Sequence, residues 1–380
     1  MIYLCSTIIM EQSAAIDKNK PFFSRKKGDF FLVSGPCSVE SHQQIMDTAL
    51  GISKSKVDLI RGGIWKPRTR PGAFEGIGSM GLPWLKEAGI ATGIPVAIEV
   101  AKAAHIEECL KIGIDVIWIG ARTTVNPFLV QEIADAIQGT GIPVMIKNPV
   151  NPDLELWIGA IERIAKAGTQ DIAAIHRGFS SYEKLMYRNN PKWEIPVELK
   201  RRLPDIPIIC DPSHICGNTN WISNVCQTAI DLNFDGLMIE SHMNPSCALS
   251  DQKQQLTPDQ LFSLLQNLIY RRPSIDDKNI LNHIEVLRDK IDQFDSDLLD
   301  ILAKRMEAAR SIGNYKKAIN TTILQRMRWE EILQSRTEIG SEKKLSENFI
   351  FQLFEMIHQE AIHQQSSIMN QKSDSKNPIE

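Results

Sequence analysis

Between residues 30 and 239 the chain repeats one theme: an apolar run of four to six residues, a polar or glycine break, then a longer stretch with helical periodicity. Eight such runs occur, at 30–34, 57–61, 95–99, 115–119, 143–147, 171–176, 207–210 and 236–240, starting twenty to thirty-eight residues apart. Short continuous apolar runs alternating with helical stretches are the signature of a parallel sheet buried on both faces. Eight such units in this length predict a closed (β/α)8 barrel of the TIM type over an open doubly wound sheet. Polar residues gather where the runs end: Cys37, Arg61, Lys66, Arg68, Glu99, Arg122, Lys147, His176, Arg177, Asp211, His214 and Glu240. In a barrel those ends form one face, the catalytic one.

After a helix at 256–268, the polar, proline-bearing stretch Arg271-Arg272-Pro273-Ser274-Ile275-Asp276-Asp277-Lys278 marks a boundary. Beyond it Leu281, Ile284, Leu287, Ile291, Phe294, Leu298, Ile301, Leu302 and Met306 recur at three- and four-residue steps in one long helix reaching about residue 317. Two shorter helices follow, at about 325–337 and 341–365. The expected organisation is an N-terminal segment at 1–22, an α/β barrel at 23–270, a linker at 271–279, a small all-α domain at 280–368 and a disordered tail at 369–380.

At 380 residues the chain is long enough for one large core and a smaller one. A net charge of −3 and a pI near 6.3 show no basic excess, so no nucleic-acid partner is expected and anion binding falls to local Arg and Lys clusters. Seven cysteines, odd in number and irregularly spaced, read as reduced thiols in a cytoplasmic protein. The apolar opening at 1–10 lacks a basic n-region, which argues against a signal peptide, and no stretch approaches a membrane span.

The runs Gly35-Pro36-Cys37-Ser38, Asp211-Pro212-Ser213-His214, Glu240-Ser241-His242 and Leu249-Ser250-Asp251 supply a thiolate, an imidazole and two carboxylates. They are far apart in sequence, so only a closed fold gathers them, and a mixed S/N/O set suits Mn²⁺, Fe²⁺, Co²⁺ or Zn²⁺ better than Mg²⁺ or Ca²⁺. The segment Arg61-Gly62-Gly63-Ile64-Trp65-Lys66-Pro67-Arg68-Thr69-Arg70 places four cations within ten residues, among glycines and a proline that fix the backbone. With Arg122, Lys147 and Arg177 there are enough guanidinium and ammonium groups for two anionic substrates.

The motifs GPCSVES, RGGIWKPRTRPGAFEG, IGAR, IKNP, HRGF, DPSH and IESH followed by ALSDQKQQL, in that order, resemble the 3-deoxy-D-arabino-heptulosonate 7-phosphate (DAHP) synthase family over about residues 30–265. The resemblance is to the branch with a short barrel and no N-terminal regulatory extension. It implies condensation of phosphoenolpyruvate with erythrose 4-phosphate, with release of phosphate, in the shikimate pathway. It also implies metal ligands Cys37, His214, Glu240 and Asp251. A phosphoenolpyruvate pocket of Lys66, Arg122, Lys147 and Arg177 with Arg61 beside it follows, and Arg68 and Thr69 fall to the phosphate of erythrose 4-phosphate. Lys66 and His176 are candidates for proton transfer, His176 equally for a supporting hydrogen-bonded residue, and His242 is expected behind the ligands.

Arg288, Arg305 and Lys316 sit seventeen and eleven residues apart on the long helix. At about 1.5 Å per residue the first two are roughly 25 Å apart along the axis, too far to hold one small molecule from a single chain. With the later Gln365, this spacing resembles the all-helical chorismate mutase family over about residues 281–365, in which each site takes one arginine from a second subunit. The resemblance implies a homodimer in which Arg288 is lent to the partner. Arg305 and Lys316 would bind the carboxylates and ether oxygen of chorismate, Arg328 would assist, and Gln365 would donate to the ether oxygen. Departures are Gln325, with Trp329 after Arg328 where the family shows acidic residues, and Ala361 in place of a serine.

The combined expectation is a bifunctional enzyme with a divalent cation, Mn²⁺ first, whose synthase is inhibited by prephenate or chorismate through the helical domain. The alternatives are a synthase whose helical domain only dimerises or senses ligand, and a different metal-dependent aldolase or sugar-acid phosphate synthase.

Overall fold

The computed structural model describes residues 22–23, 30–67, 72–182, 185–272 and 274–370. The expectations for residues 1–21 and 371–380, and for Arg68 and Thr69, fall outside them. Two compact units divide the chain, Met1–Pro273 and Ser274–Glu380.

In the first unit, eight parallel strands close into a barrel in sequence order: β1 Phe31–Gly35, β2 Leu59–Arg61, β3 Val96–Val100, β4 Val116–Ile119, β5 Val144–Lys147, β6 Ile172–His176, β7 Ile208–Cys210 and β8 Gly236–Glu240. The ring closes through β1 and β8, where Val33 pairs with Met238 and Gly35 with Glu240. Among the described residues ten helices accompany them: α1 His42–Ile52, α2 Gly81–Thr92, α3 Ala103–Ile112, α4 Ala121–Thr124, α5 Pro127–Ile137, α6 Leu154–Lys166, α7 Glu194–Arg202, α8 Pro212–Cys216, α9 Ile222–Asp231 and α10 Pro258–Asn267.

Every strand is buried on both faces, so apolarity alone does not tell inside from outside, but the two-residue alternation does. Val33, Leu59, Ala97, Val116, Trp118, Met145, Ala173, Ile175, Ile209 and Met238 form one buried cluster, the barrel interior. Their neighbours Leu32, Ile60, Ile98, Ile117, Ile146, Ala174, Ile208 and Ile239 pack with the helices in a second. The rule that sets this core also aims the polar strand ends. Arg61, Glu99, Lys147, Arg177, Asp211 and Glu240 each lie two residues beyond an interior residue and therefore point towards the barrel axis at its C-terminal mouth. Gly35, at φ +145°, is fixed by closure: a Cβ there would sit 2.2 Å from the Arg61 carbonyl oxygen of the neighbouring strand.

The second unit has three helices among its described residues, α11 Lys278–Ala318, α12 Arg326–Glu342 and α13 Glu347–Asn370. Asp277 caps α11 by accepting from the amides of Asn279 and Ile280. Small residues set the packing: a Cβ on Gly313 would lie 3.1 Å from Gln365 Cγ, and one on Gly340 2.5 Å from Ile350. Among the described residues no helix is long and apolar enough to cross a membrane, and Cys37, Cys109, Cys210, Cys216, Cys226 and Cys247 are free thiols.

Candidate active sites

The barrel mouth is built by short local devices at the strand ends. In Asp211-Pro212-Ser213-His214 the chain turns straight from β7 into the single-turn helix α8. Asp211 is its N-cap and Pro212 its first residue, and the Asp211 carboxylate accepts from the His214 amide at 3.1 Å. The same turn folds the His214 ring back, so Nδ1 lies 2.8 Å from Asp211 Oδ2. That bond assigns the Nδ1 proton and turns Nε2 towards Glu240, 3.8 Å from Oε1.

Asp211 also takes Lys147 Nζ at 2.8 Å, a buried ion pair between β5 and β7. Burial alone would raise the Asp211 carboxyl, but its electrostatic interactions with His214 and Lys147 and the His214 hydrogen bond outweigh that and hold it well below the usual range. Asn148, next in the chain, ties two loops together: its carbonyl oxygen accepts from the Arg177 amide at 2.7 Å while its amide donates to the Gly178 carbonyl at 2.9 Å. Arg177 in turn donates to Asn189 Oδ1 at 2.8 Å. Burial pulls its guanidinium down to about 10, so it stays charged at neutral pH.

Arg61 is wholly buried, stands 5.1 Å over the Trp118 ring and pairs with Glu240 Oε1 at 3.1 Å. Its Nε and Nη1 have no hydrogen-bond partner. Burial would lower its pKa, but Glu240, Asp211, Cys37 and Glu99 more than offset that, so it is a fixed cation with two unsatisfied donors. Lys66 Nζ donates to the Cys37 carbonyl at 2.8 Å. Glu99 lies against Gly120, where a Cβ would fall 2.0 Å from its Oε1; the glycine of IGAR makes room for that carboxylate. Arg122 follows on α4 and is exposed.

The four sequence-predicted ligands stand at this mouth as two pairs. Cys37 Sγ is 3.4 Å from Asp251 Oδ2, and His214 Nε2 faces Glu240. Among the described residues no three His, Cys, Asp or Glu side chains form one coordinating group. The carboxylates are taken up by basic and amide neighbours: Asp251 by Arg188 at 3.1 Å, and Glu240 by Arg61 and by Gln254 Nε2 at 2.7 Å. Burial, reinforced by Glu240, pushes the Cys37 thiol up to about 12.

His176 does not reach this cluster. It follows Ala174 on the outward face of β6, and its ring sits among Trp157, Phe179, Trp193 and Phe234 with both nitrogens unpartnered. Burial first, then Arg177, lowers its pKa to about 3. Its place in this aromatic surround sets it apart from Lys66, the other candidate from the sequence, which lies against the Cys37 carbonyl at the mouth. His242 lies behind Glu240, accepting from the Asn244 amide at 2.9 Å.

Residues that the sequence reading passed over also shape the mouth. Trp65 stacks on His105 of α3 at 3.7 Å and 6°, which anchors the loop before Lys66. Gln255 accepts from the Cys37 amide at 2.9 Å, and Arg188 and Gln254 reach in from loops. Asn148 in IKNP, Trp65 in RGGIWKPRTRPGAFEG, and Gln254 and Gln255 in ALSDQKQQL were within reach of motif reading; Arg188 had neither motif nor periodicity to reveal it.

In the helical unit, Arg305, Ala309, Gly313 and Lys316 follow one another along one face of α11, and His358, Ala361 and Gln365 along one face of α13. Ala309, Gly313, Ala361 and Gln365 are buried where the helices meet. The Gln365 Oε1 and His358 Nε2 atoms are buried without partners. Lys316 Nζ donates to the Ile323 carbonyl. Arg328 is exposed and pairs with Glu331 at 2.9 Å. Arg288 pairs with Glu285 at 2.6 Å, and its place on α11 keeps it from joining Arg305 within one chain.

A parallel barrel with buried cations at its C-terminal mouth, one of them the incompletely satisfied Arg61, defines an enzyme that acts on small anions, here followed in the chain by a helical unit with its own basic face. The chain matches the model of the DAHP synthetase I family over residues 15–272 and that of chorismate mutase type II over residues 287–366. It is 32% identical over 250 residues to phospho-2-dehydro-3-deoxyheptonate aldolase of Thermotoga maritima, covering 66% of this chain and 71% of that protein. It is 27% identical over 265 residues to a 2-dehydro-3-deoxyphosphooctonate aldolase of Stenotrophomonas maltophilia, covering 63% and 90%. The crystal structure of the Thermotoga maritima DAHP synthase superposes with a TM-score of 0.58 at 33% identity, over 63% of this chain and 68% of that one. A truncated form of the Thermotoga maritima synthase gives 0.55 at 30% identity, over 63% and 85%. The chain belongs to the DAHP synthetase I family and carries a chorismate mutase domain C-terminal to the barrel in sequence: a bifunctional shikimate-pathway enzyme, transferase and isomerase in one polypeptide.

Proposed function

We propose that the barrel condenses phosphoenolpyruvate with erythrose 4-phosphate in a reaction that depends on a divalent metal, and that the helical domain rearranges chorismate to prephenate within a homodimer. The observation that carries the barrel reading is Arg61, fully buried with two orphaned donors, in a mouth shared with Lys147 and Arg177. Two anions brought there would satisfy groups whose burial otherwise costs about 1–3 kcal/mol each. In this reading Arg61, Lys66, Arg122, Lys147 and Arg177 hold the phosphate and carboxylate of phosphoenolpyruvate, Arg68 and Thr69 hold the sugar phosphate, and Lys66 manages the proton.

The donor chemistry of Cys37, His214, Glu240 and Asp251 fits a metal: Glu240 Oε1 is buried with only the Arg61 ion pair and no hydrogen bond, and Asp211 holds His214 in the tautomer that frees Nε2. A thiol that burial keeps protonated becomes a ligand only against a cation, and the S/N/O set suits Mn²⁺, then Fe²⁺, Co²⁺ or Zn²⁺. When bound, the ion would polarise the sugar aldehyde as a Lewis acid. Phosphate release with erythrose 4-phosphate, abolished by chelator and restored by Mn²⁺, is the expected result. Preference for arabinose 5-phosphate, or full activity after chelation, would overturn the reading.

In the helical domain the rearrangement needs a shaped cationic cavity and no nucleophile. Arg305, Lys316, Arg328 and Gln365 supply it, with Arg288 lent by a second copy. Leu287, Ile291, Phe294, Leu298 and Ile301 are about half to two-thirds exposed along α11, which supports their burial against that copy. Early and late pathway steps on one chain further support feedback: prephenate or chorismate bound at the mutase site inhibits the synthase. Equal condensation rates with and without saturating prephenate or chorismate would sink the feedback idea alone.

A further inference from the structure

The mutase face of α13 holds a polar group that the assigned roles leave unused. His358 precedes Gln365 by two helical turns on the same face, and its ring lies flat on Trp329 of α12, centroids 3.9 Å apart and planes within 9°. The ring is only partly covered, yet its Nε2 atom is fully shielded and has no hydrogen-bond partner, as is also true of Gln365 Oε1 two turns on. A sequestered imidazole nitrogen on this face, opposite a helix that presents Arg305 and Lys316, calls for a ligand that gives it a hydrogen-bond partner. Burial, then the positive charges of Arg305 and Lys316, lower the pKa of His358, so the ring is neutral at physiological pH. A neutral imidazole beside two cations is not the group that competes for a carboxylate. It suits an uncharged oxygen.

We propose that His358 is a substrate contact of the mutase site, its Nε2 hydrogen-bonded to the ring hydroxyl of chorismate and its plane fixed by the stack on Trp329. The inference rests on the placement of the mutase pocket around Arg305, Lys316 and Gln365. Lys316 and Gln365 are already assigned to the ether oxygen, and Arg305 and Lys316 to the carboxylates; the hydroxyl is the remaining polar group of the substrate. Trp329 then acts as a positioning residue, because an aromatic face of that size holds the imidazole in one orientation without offering it a hydrogen bond.

The test is chorismate turnover by the full-length protein carrying His358→Phe, His358→Gln or Arg305→Ala, with helix content followed by circular dichroism. Phe keeps the stack and removes the ring nitrogens; Gln gives up the stack but returns a polar end. A substrate contact predicts a fall of about 10- to 100-fold in kcat/KM for His358→Phe at unchanged helix content, the range expected for a lost buried hydrogen bond. It also predicts partial recovery in His358→Gln. A purely structural stack predicts the opposite order, so His358→Phe within twofold of wild type, or better than His358→Gln, overturns the proposal. Wild-type turnover in Arg305→Ala would instead remove the pocket placement on which the proposal stands.

Discussion

Replacing Asp211 with asparagine keeps the shape of the side chain and removes one charge from a buried ion pair of the barrel. Asp211 is completely buried, accepts Lys147 Nζ at 2.8 Å and His214 Nδ1 at 2.8 Å, and caps α8. The amide introduced by Asp211→Asn keeps one acceptor oxygen and presents an NH₂ donor where a donor already stands, so Lys147 is left as a buried ammonium without its counter-charge. Breaking a buried pair from one side costs about 3–5 kcal/mol, which for a barrel of this size is a fall of roughly 10 °C in Tm. Removing both charges in the Lys147→Met/Asp211→Asn double variant abolishes the uncompensated ammonium, so the double should recover at least about 1–2 kcal/mol over the sum of the singles. The assay is thermal and urea unfolding of wild type, both singles and the double, followed by circular dichroism. Asp211 also sets the His214 tautomer, so metal affinity should fall about 10- to 100-fold in Asp211→Asn. A loss under about 1 kcal/mol for Asp211→Asn, or strict additivity in the cycle, would refute the claim that this pair organises the mouth.

His105 and His176 are buried with pKa values lowered to about 4 and about 3, so between those values and about 6.5 the unfolded chain binds protons that the folded chain refuses. Stability should thus be full above about pH 6.5 and fall as the pH drops towards 4; His176→Phe should flatten that slope in urea midpoints, and an unchanged slope would contradict it. Gly35→Ala places a Cβ 2.2 Å from the Arg61 carbonyl at φ +145°, and should lower stability by about 3 kcal/mol, with a fall in Tm as the readout. Leu298→Lys on the exposed stripe of α11 should give a monomer by light scattering with no mutase turnover, because Arg288 of a second copy is then absent; a fully active monomer would exclude the lent arginine.

Much of the barrel was legible because its signals are local. A strand buried on both faces has to be a short apolar run, and the runs ending at Arg61, Lys147, Cys210 and Glu240 end there in the structure. Motif glycines and caps were equally readable: DPSH is a helix start in its own residues, with an acidic N-cap followed by proline. For His176 the sequence left two roles open, proton transfer or support through hydrogen bonds, because it ends β6 directly before Arg177. The two-residue alternation from Ile175 aims Arg177 inward and His176 outward, and applying that period to each strand end would have separated them. Gln254 and Gln255 lie within ALSDQKQQL and were open to motif reading, whereas Arg188 gave no signal, since a loop residue outside the motifs reaches a site through the path of the chain and follows no period.

The sequence by itself determined the eight β/α units, the helical unit C-terminal to them and the set of cations and donor groups at the strand ends, since strand, helix and cap preferences act over a few residues. Only the tertiary structure decided which of those groups meet. It paired Lys147 with Asp211 and Arg61 with Glu240, stacked Trp329 on His358, and turned His176 into an aromatic box. Such contacts join residues tens to hundreds of positions apart, and their energies exist only once barrel closure and helix packing have removed water from between them.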